Sequence, residues 1–389
     1  MSEVPEASGR RSPLHDAHVA AGASFTNFAG WQLPVRYGSE LAEHSAVRTA
    51  AGLFDLSHMA EILVLGSEAG QALDYALPSR LSGLPEHRAK YSLLLAERGG
   101  ILDDLVVYRT GPDRFLVVAN AANRELVAEE LRQRCSRFDA LVEDESEDIG
   151  LIAVQGPRAA EIVQNVDGIA DPEGRTDGFG VRLGQLGYYR CLPGSFRDSS
   201  VLFARTGYTG EDGFELYTAP DRLPALWEAI LETGAGTGLR PAGLASRDTL
   251  RLEAGMALHE AELTRSVRPA EAGLARVVDF GKPGDFVGRL ALESDGPEAG
   301  SRVLVGLRGA GRRAGRAGYP VHAGPGLESA PIGEITSGAL SPTLGVPIAL
   351  AYLPPSYSAP GTEVFLDVRG TAQGATVVPL PFYSRKRSA

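Results

Sequence analysis

Two aspartates, Asp103 and Asp104, stand side by side in a run that is otherwise isoleucine, leucine, valine and tyrosine (ILDDLVVY). A carboxylate in apolar surroundings is costly unless it is hydrogen-bonded or put to use. Alternation along a strand sends neighbours to opposite faces: Asp103 with Ile101, Leu105 and Val107, Asp104 with Leu102, Val106 and Tyr108. The pattern predicts two carboxylates serving different faces rather than a proton-sharing dyad, with at most one aimed at a given pocket. The competing reading is that both cap a hairpin at Gly99-Gly100 by accepting backbone N–H groups of the turn.

The second constellation is Arg205–Leu216, RTGYTGEDGFEL. Gly207, Gly210 and Gly213 permit tight turns and close approach to a ligand. Tyr208 can stack on a flat ring, and Glu215 can accept the paired N–H groups of an aminopyrimidine-type edge. An ordinary glycine-rich loop with solvated Glu211 and Asp212 is the alternative. The spacing fits neither GxxxxGK[ST] nor GxGxxG. Arg247 and Arg251 lie four apart and share a helix face, where one can clamp a carboxylate; otherwise they pair with Asp248 or Glu253, or are solvated. Asn120 and Asn123 read as helix caps, and Trp31 and Trp227 as core.

The elements that must position these residues follow from periodicity and breakers. Pro13–Ala23 reads as a short helix, and Asn27–Tyr37 as a loop broken by Gly30 and Pro34. Ser39–Ala51 reads as a helix capped by Ser39 and ended by Gly52. Ser57–Leu65 reads as a strand, Tyr91–Glu97 and Ile101–Arg109 as a hairpin around Arg98-Gly99-Gly100, and Phe115–Ala119 as a third strand before a helix at Ala121–Arg134. Strands at Gly150–Val154 and Ser200–Arg205 and helices at Leu223–Thr233 and Leu244–Ala257 form a second set. Beyond Thr264–Pro269 come short β-like runs at Arg302–Leu307, Pro331–Ser337, Ile348–Leu353, Glu363–Val368 and Ala375–Pro379, spaced as in a small barrel or sandwich.

The 389 residues suggest two or three domains. A net charge of −11, from 38 basic and 49 acidic residues, argues against nucleic acid as the main partner. No apolar stretch reaches the roughly 18–20 residues that span a bilayer. Cys135 and Cys191 form no CxxC pair and read as thiols of a reducing compartment; the seven histidines form no metal motif. The basic clusters Arg308–Arg316 and Arg385–Arg387 read as solvated loops or as surfaces for an acidic partner.

FAGWQLPV, AGLFDLSHM, GGILDDLVVYR, VVANAAN, RTGYTGEDGFEL, RPAGLASRDTLRLEAG, GDFVGR, GEITSGALSPTLG and PFY follow one another in an order that resembles the glycine cleavage T-protein family, from about Pro13 to Tyr383. The resemblance implies an α+β fold, a three-domain cloverleaf around a folate-binding hole. It implies a discontinuous first domain (1–57 and 150–265), an inserted ferredoxin-like α+β domain (58–149) carrying Asp104, and a C-terminal β-barrel-like domain (266–389). The implied activity moves a methylene unit from an aminomethyl group on the lipoyl arm of H protein to tetrahydrofolate, with release of ammonia. By position, Asp104 matches the family's catalytic aspartate. Met59, Tyr91, Asn120, Tyr188, Tyr208, Glu215 and Arg247 match residues of the folate site, Glu215 holding the pterin edge and Arg247 ordering the site. Tetrahydrofolate is then the co-substrate, and lipoylated H protein and the other glycine cleavage components are the partners. A monomeric cytoplasmic enzyme is expected.

The chain departs from the family pattern in four places. Ala60 follows Met59 where SHMGE is usual, Ala257 stands where proline is common, Leu258-His259-Glu260 stands where LYG is usual, and Ser384 separates PFY from Arg385. They keep open a second reading, a folate-dependent demethylase acting on a small methylated compound. A third, a non-catalytic folate-binding protein of the iron–sulfur assembly branch, calls for a KGC-type motif that neither Cys135 nor Cys191 supplies.

Overall fold

A computed structural model describes residues 9–294 and 302–385, so Lys386 and Arg387 of the basic tail lie outside the described residues. Strands such as Ala51–Asp55 and Gly150–Gln155 are buried along their whole length, because both faces of their sheet are covered. That sheet has seven strands in the spatial order Ile169–Ala170, Cys191–Phe196, Ser199–Ala204, Gly213–Thr218, Gly150–Gln155, Ala51–Asp55 and Leu239–Pro241. On one face Leu53, Ile152, Val154, Phe214 and Leu216 pack with Leu226, Trp227 and Ile230 of helix Leu223–Gly234. Trp227 is core, as its sequence context suggested.

The other face meets a second sheet. Phe54, Leu56, Leu151 and Tyr217 pack against Leu63, Tyr108, Leu116 and Val118. The latter belong to a five-stranded sheet in the order Arg88–Leu95, Ile101–Gly111, Arg114–Ala119, Ala60–Leu65 and Leu141–Asp144. Its far face is covered by helices Ala69–Ala76 and Arg124–Cys135 through Ile62, Val64, Leu105 and Val107. The candidate chemistry therefore lies along a sheet-on-sheet contact. The C-terminal runs close into a six-stranded barrel, in the order Val303–Gly309, Pro347–Leu353, Gly333–Leu340, Pro320–His322, Glu363–Asp367 and Ala372–Val378.

Three local expectations are corrected. Asn27–Tyr37 is no loop: Ser24–Phe28 and Trp31–Arg36 form a hairpin turned by Ala29 and Gly30, both at positive φ. Pro34 is tolerated because the register shifts at Ser24/Phe25, so the ladder skips a residue beside it. Helix Glu40–Thr49, capped by Ser39 Oγ accepting from the Ala42 N–H at 3.3 Å, ends before Gly52. Gly52 lies inside strand Ala51–Asp55, where a Cβ would sit 2.5 Å from Val47 Cγ2. The short barrel strand Pro320–His322 carries too few residues to show a period.

The link from helix Leu244–Glu253 to the barrel is pinned by one buried acid. Glu262 Oε2 accepts from the Leu258 N–H at 2.8 Å and from Arg251 Nη1 at 3.1 Å, and Oε1 accepts from Ser337 Oγ at 2.6 Å. Within that link Glu260 is held at φ 68°, where a Cβ is strained. Glu260→Gly is expected to stabilise the fold by roughly 0.5–1 kcal/mol, the relief of strain less the extra freedom of the unfolded chain. An unchanged or lower urea midpoint would show that this backbone carries no strain.

Candidate active site

Strand Ile101–Gly111 is flanked by Arg88–Leu95 on one side and Arg114–Ala119 on the other, but the second neighbour stops pairing at Val106. Residues 103 and 104 therefore face an open edge. Asn120, just past the end of the neighbouring strand, fills it. Its Nδ2 donates to Asp103 Oδ1 at 2.8 Å and to Asp104 Oδ1 at 2.9 Å, and its backbone N–H donates to Asp103 Oδ2 at 3.2 Å.

This overturns the expectation that alternation keeps the aspartates apart. Alternation still sets the two Cβ directions, but at the open edge both carboxylates bend onto one amide. A bulge at Leu94/Leu95 also moves Leu102 from Asp104's face to the helix-side core with Leu105. Nor do the carboxylates cap the Gly99-Gly100 turn. Asn120 and Asn123 are equally removed from capping, for neither makes a side-chain cap bond.

Asp103 is fully buried, and burial, followed by the neighbouring charge of Asp104, pushes it up to about 7 against the bonds from Asn120 and Asn123. Burial also raises Asp104, opposed by bonds from Tyr91 and Asn120 and by the charge of His259. Tyr91 OH donates to Asp104 Oδ2 at 3.0 Å. Asp104 is thus a carboxylate fixed from two sides whose hold on a proton burial strengthens above the ordinary carboxylate range.

Across the sheet contact, Glu215 on strand Gly213–Thr218 is held through one oxygen. Its Oε2 accepts from Thr206 Oγ1 at 2.5 Å, Tyr108 OH at 3.1 Å and Tyr217 OH at 3.4 Å. Oε1 accepts nothing from a described residue. One oxygen of Glu215 is thus anchored by protein hydroxyls and the other is presented. Tyr208 donates to the Ala257 carbonyl at 2.5 Å, and Arg247 lies over its ring at 4.8 Å. Burial lowers Arg247, whose side chain makes no hydrogen bond among the described residues and faces Glu215 and Tyr208 electrostatically. His58 lies near Arg247 and Asp55, held down at about 4 by burial and the Arg247 charge, and is neutral.

Of the remaining sequence-derived residues, Met59 packs into the apolar layer containing Tyr108 and Tyr217. Tyr188 is half exposed against Tyr189, with ring centroids 4.9 Å apart. Arg385, despite its offset, reaches Asp212 at 3.4 Å and lies 6.0 Å from the Tyr188 ring. Glu211 and Asp212 are not solvated. Glu211 is paired with Arg48 at 2.9 Å and Asp212 with Arg205 at 2.6 Å. Gly207 allows the loop to pass Gln155, whose Oε1 a Cβ would meet at 2.0 Å. Arg251 pairs with Asp248 and Glu262, whereas Glu253 goes to Arg48 and His44. Arg308, Arg312, Arg313 and Arg316 are exposed, and Cys135 and Cys191 are buried thiols that burial pushes up to about 12.

Sequence reasoning missed Tyr108, Thr206 and Tyr217 as the holders of Glu215. Period two was the available signal, for Tyr108 shares a face with Asp104 and Tyr217 with Glu215. It also missed Asn123, which donates to Asp103 Oδ1 at 2.8 Å.

Two stacked sheets and a barrel, with acids and tyrosines gathered along the sheet contact, define an α+β class of fold with a candidate active site between the sheets. Residues 14–282 match the GCVT N-terminal domain, and residues 302–384 match the glycine cleavage T-protein C-terminal barrel domain. The chain belongs to the glycine cleavage T-protein family. It is similar to the aminomethyltransferase of Cutibacterium acnes, 54% identical over 97% of this chain and 99% of that one. It is also similar to that of Saccharopolyspora erythraea, 51% identical over 97% and 99%. The solved glycine cleavage system aminomethyltransferase T of Bartonella henselae superposes with a TM-score of 0.86 at 36% identity, covering 96% of this chain and 98% of that one. The α+β fold with its terminal barrel is the fold expected from the motifs.

Proposed function

We propose that this enzyme is the aminomethyltransferase of glycine cleavage. It takes a one-carbon unit from an aminomethyl-lipoyl arm on H protein, passes it to tetrahydrofolate and releases ammonia. The observation that carries the reading is Asp104, a part-buried carboxylate triangulated by Tyr91 and Asn120 opposite the anchored Glu215. The residues fit a folate. Glu215 presents one oxygen to the N–H edge of a pterin, and Tyr208 with Arg247 offers an aromatic and cationic wall; Tyr188 and Met59 extend the lining. When bound, tetrahydrofolate supplies the nucleophilic nitrogen. Asp104 orients the reacting groups, stabilises positive charge at the transferred carbon and moves a proton as ammonia leaves.

In this reading residues 1–57 with 150–265 form the folate domain, 58–149 the insert carrying Asp104, and 266–389 the barrel domain. The enzyme works as a cytoplasmic monomer with H protein and the other glycine cleavage components; its buried free thiols suit a reducing compartment. The second reading, a folate-dependent demethylase, draws on His259, which stands beside the acidic pair rather than on a remote surface. Incubation with tetrahydrofolate and aminomethyl-loaded H protein should yield 5,10-methylenetetrahydrofolate and ammonia. No product with H protein, and turnover with a small N-, O- or S-methyl donor, would establish the demethylase instead.

A further inference from the structure

His259 departs from the usual family residue, yet its position is rigid. Leu258 N–H is held by Glu262 on one side, and Glu260 N–H bonds the Leu263 carbonyl at 2.9 Å on the other. Tyr352 OH donates to the Glu262 carbonyl at 2.7 Å, fastening the same loop to the barrel. From that loop the imidazole meets Asn123 Nδ2, at 3.2 Å from Nδ1 and 3.3 Å from Nε2. Asn123 has two amide hydrogens. One goes to Asp103 Oδ1 at 2.8 Å, with the Leu102 carbonyl at 3.3 Å beside it, and the other to the imidazole.

We propose that His259 is a positioning residue for Asp104, acting through Asn123 and Asp103. The inference rests on the reading of Asp104 as the reacting carboxylate. An Asn123 fixed by His259 and Asp103 keeps Asp103 in place, which divides the two Asn120 amide hydrogens between the aspartates and sets where Asp104 points. Without the histidine, Asn123 rotates toward the Leu102 carbonyl or solvent. Asp103 then competes for both Asn120 hydrogens, and Asp104 loses one of its two anchors. The loop bearing His259 also joins the barrel, so the aim of Asp104 is tied to the seating of that domain.

The test is a double-mutant cycle on the full-length enzyme. His259→Phe and Asn123→Ala are each expected to lower kcat by about tenfold, the size of one positioning hydrogen bond. The double variant is expected to be no worse than either single one. Folate affinity by equilibrium dialysis and the thermal midpoint are expected to stay at wild-type values, and His259→Gln, which can still pair with Asn123, to recover most of the loss. Additive losses overturn the proposal, as does a loss shared equally by His259→Gln, or one that falls on folate affinity or thermal stability alone. Asp104→Asn measured alongside separates the two levels. If that variant is inactive while His259→Phe is normal, only the positioning role fails; if Asp104→Asn turns over normally, both readings fall.

Discussion

Replacing Asp104 by asparagine is expected to cut formation of 5,10-methylenetetrahydrofolate by about 100- to 10,000-fold, the range over which a positioned acid–base or electrostatic group acts. The protein should fold normally. Asparagine keeps its carbonyl oxygen as the acceptor for the Asn120 amide, and its NH2 can donate to the Tyr91 hydroxyl, which turns from donor to acceptor where it now donates to the second Asp104 oxygen. It also removes the charge next to the buried Asp103. Asp103 has a folded value of about 7 against an ordinary 3.8, with the Asp104 charge as the second cause after burial. A carboxyl raised on folding favours the folded state at low pH, and that contribution is lost as pH rises through about 7. With the neighbouring charge gone, Asp103 falls back toward its ordinary range and the loss at high pH shrinks. Asp104→Asn should therefore melt at or above the wild-type temperature at pH 8 while being nearly inactive. Turnover within tenfold of wild type would remove Asp104 from the mechanism.

What could be read from the sequence divides along physical lines. Strands that read as short runs of isoleucine, leucine and valine next to glycine, such as Ile101–Gly111 and Gly150–Gln155, were legible because local residue types alone mark them. The barrel strands were legible apart from Pro320–His322, which has no period to detect. Hairpin Ser24–Arg36 was hidden because Pro34 signals a break, and only the register shift opposite it makes a strand possible. The candidate site was legible in residue identity and obscure in partnership. Asp104, Glu215 and Tyr208 stand out in the sequence by type and context. Their holders come from elsewhere: Glu215 from Tyr108, more than a hundred positions away, and Asn123 from His259, 136 positions away. The aspartates illustrate the limit of a local rule, since alternation sets how each side chain leaves the strand but not which donor it reaches, and the missing neighbour strand lets Asn120 reach both. Glu211 makes the same point, a loop acid that looks solvated until helix Glu40–Thr49 brings Arg48 to it.

That arginine is the subject of the second large effect. Arg48→Met is expected to destabilise the protein by about 3–5 kcal/mol, because it leaves two buried carboxylates without their cation. Arg48 Nη1 donates to Glu211 Oε1 at 2.9 Å and to the Thr209 carbonyl at 2.8 Å, and Nη2 donates to Glu253 Oε2 at 2.8 Å. Its side chain is 6% exposed, that of Glu211 3% and that of Glu253 0%. The guanidinium also lies 4.0 Å from the Tyr383 ring centroid. Glu253 continues the network into the barrel, where its Oε1 accepts from Ser341 Oγ at 2.5 Å and the Thr343 N–H at 3.0 Å. One guanidinium thus joins helix Glu40–Thr49, the loop preceding Glu215, the end of helix Leu244–Glu253 and the C-terminal segment. Burial raises Glu253, but bonds from His44, Ser341 and Thr343 outweigh it and hold the acid at about 2. A depressed carboxyl contributes stability that is fully present above the ordinary glutamate range and is lost as pH falls toward about 2. The wild type should accordingly hold this contribution in full at pH 7 and lose it as pH falls below about 4.5, while the gap to Arg48→Met is read at pH 7. Urea unfolding at several pH values reads both quantities. A loss below about 1 kcal/mol at pH 7 would mean that the surviving hydroxyl and backbone donors satisfy both acids unaided. A loss of the expected size should also weaken folate binding in the folded fraction, because the loop that carries Tyr208 toward the site is tied to Arg48 through the Thr209 carbonyl and Glu211.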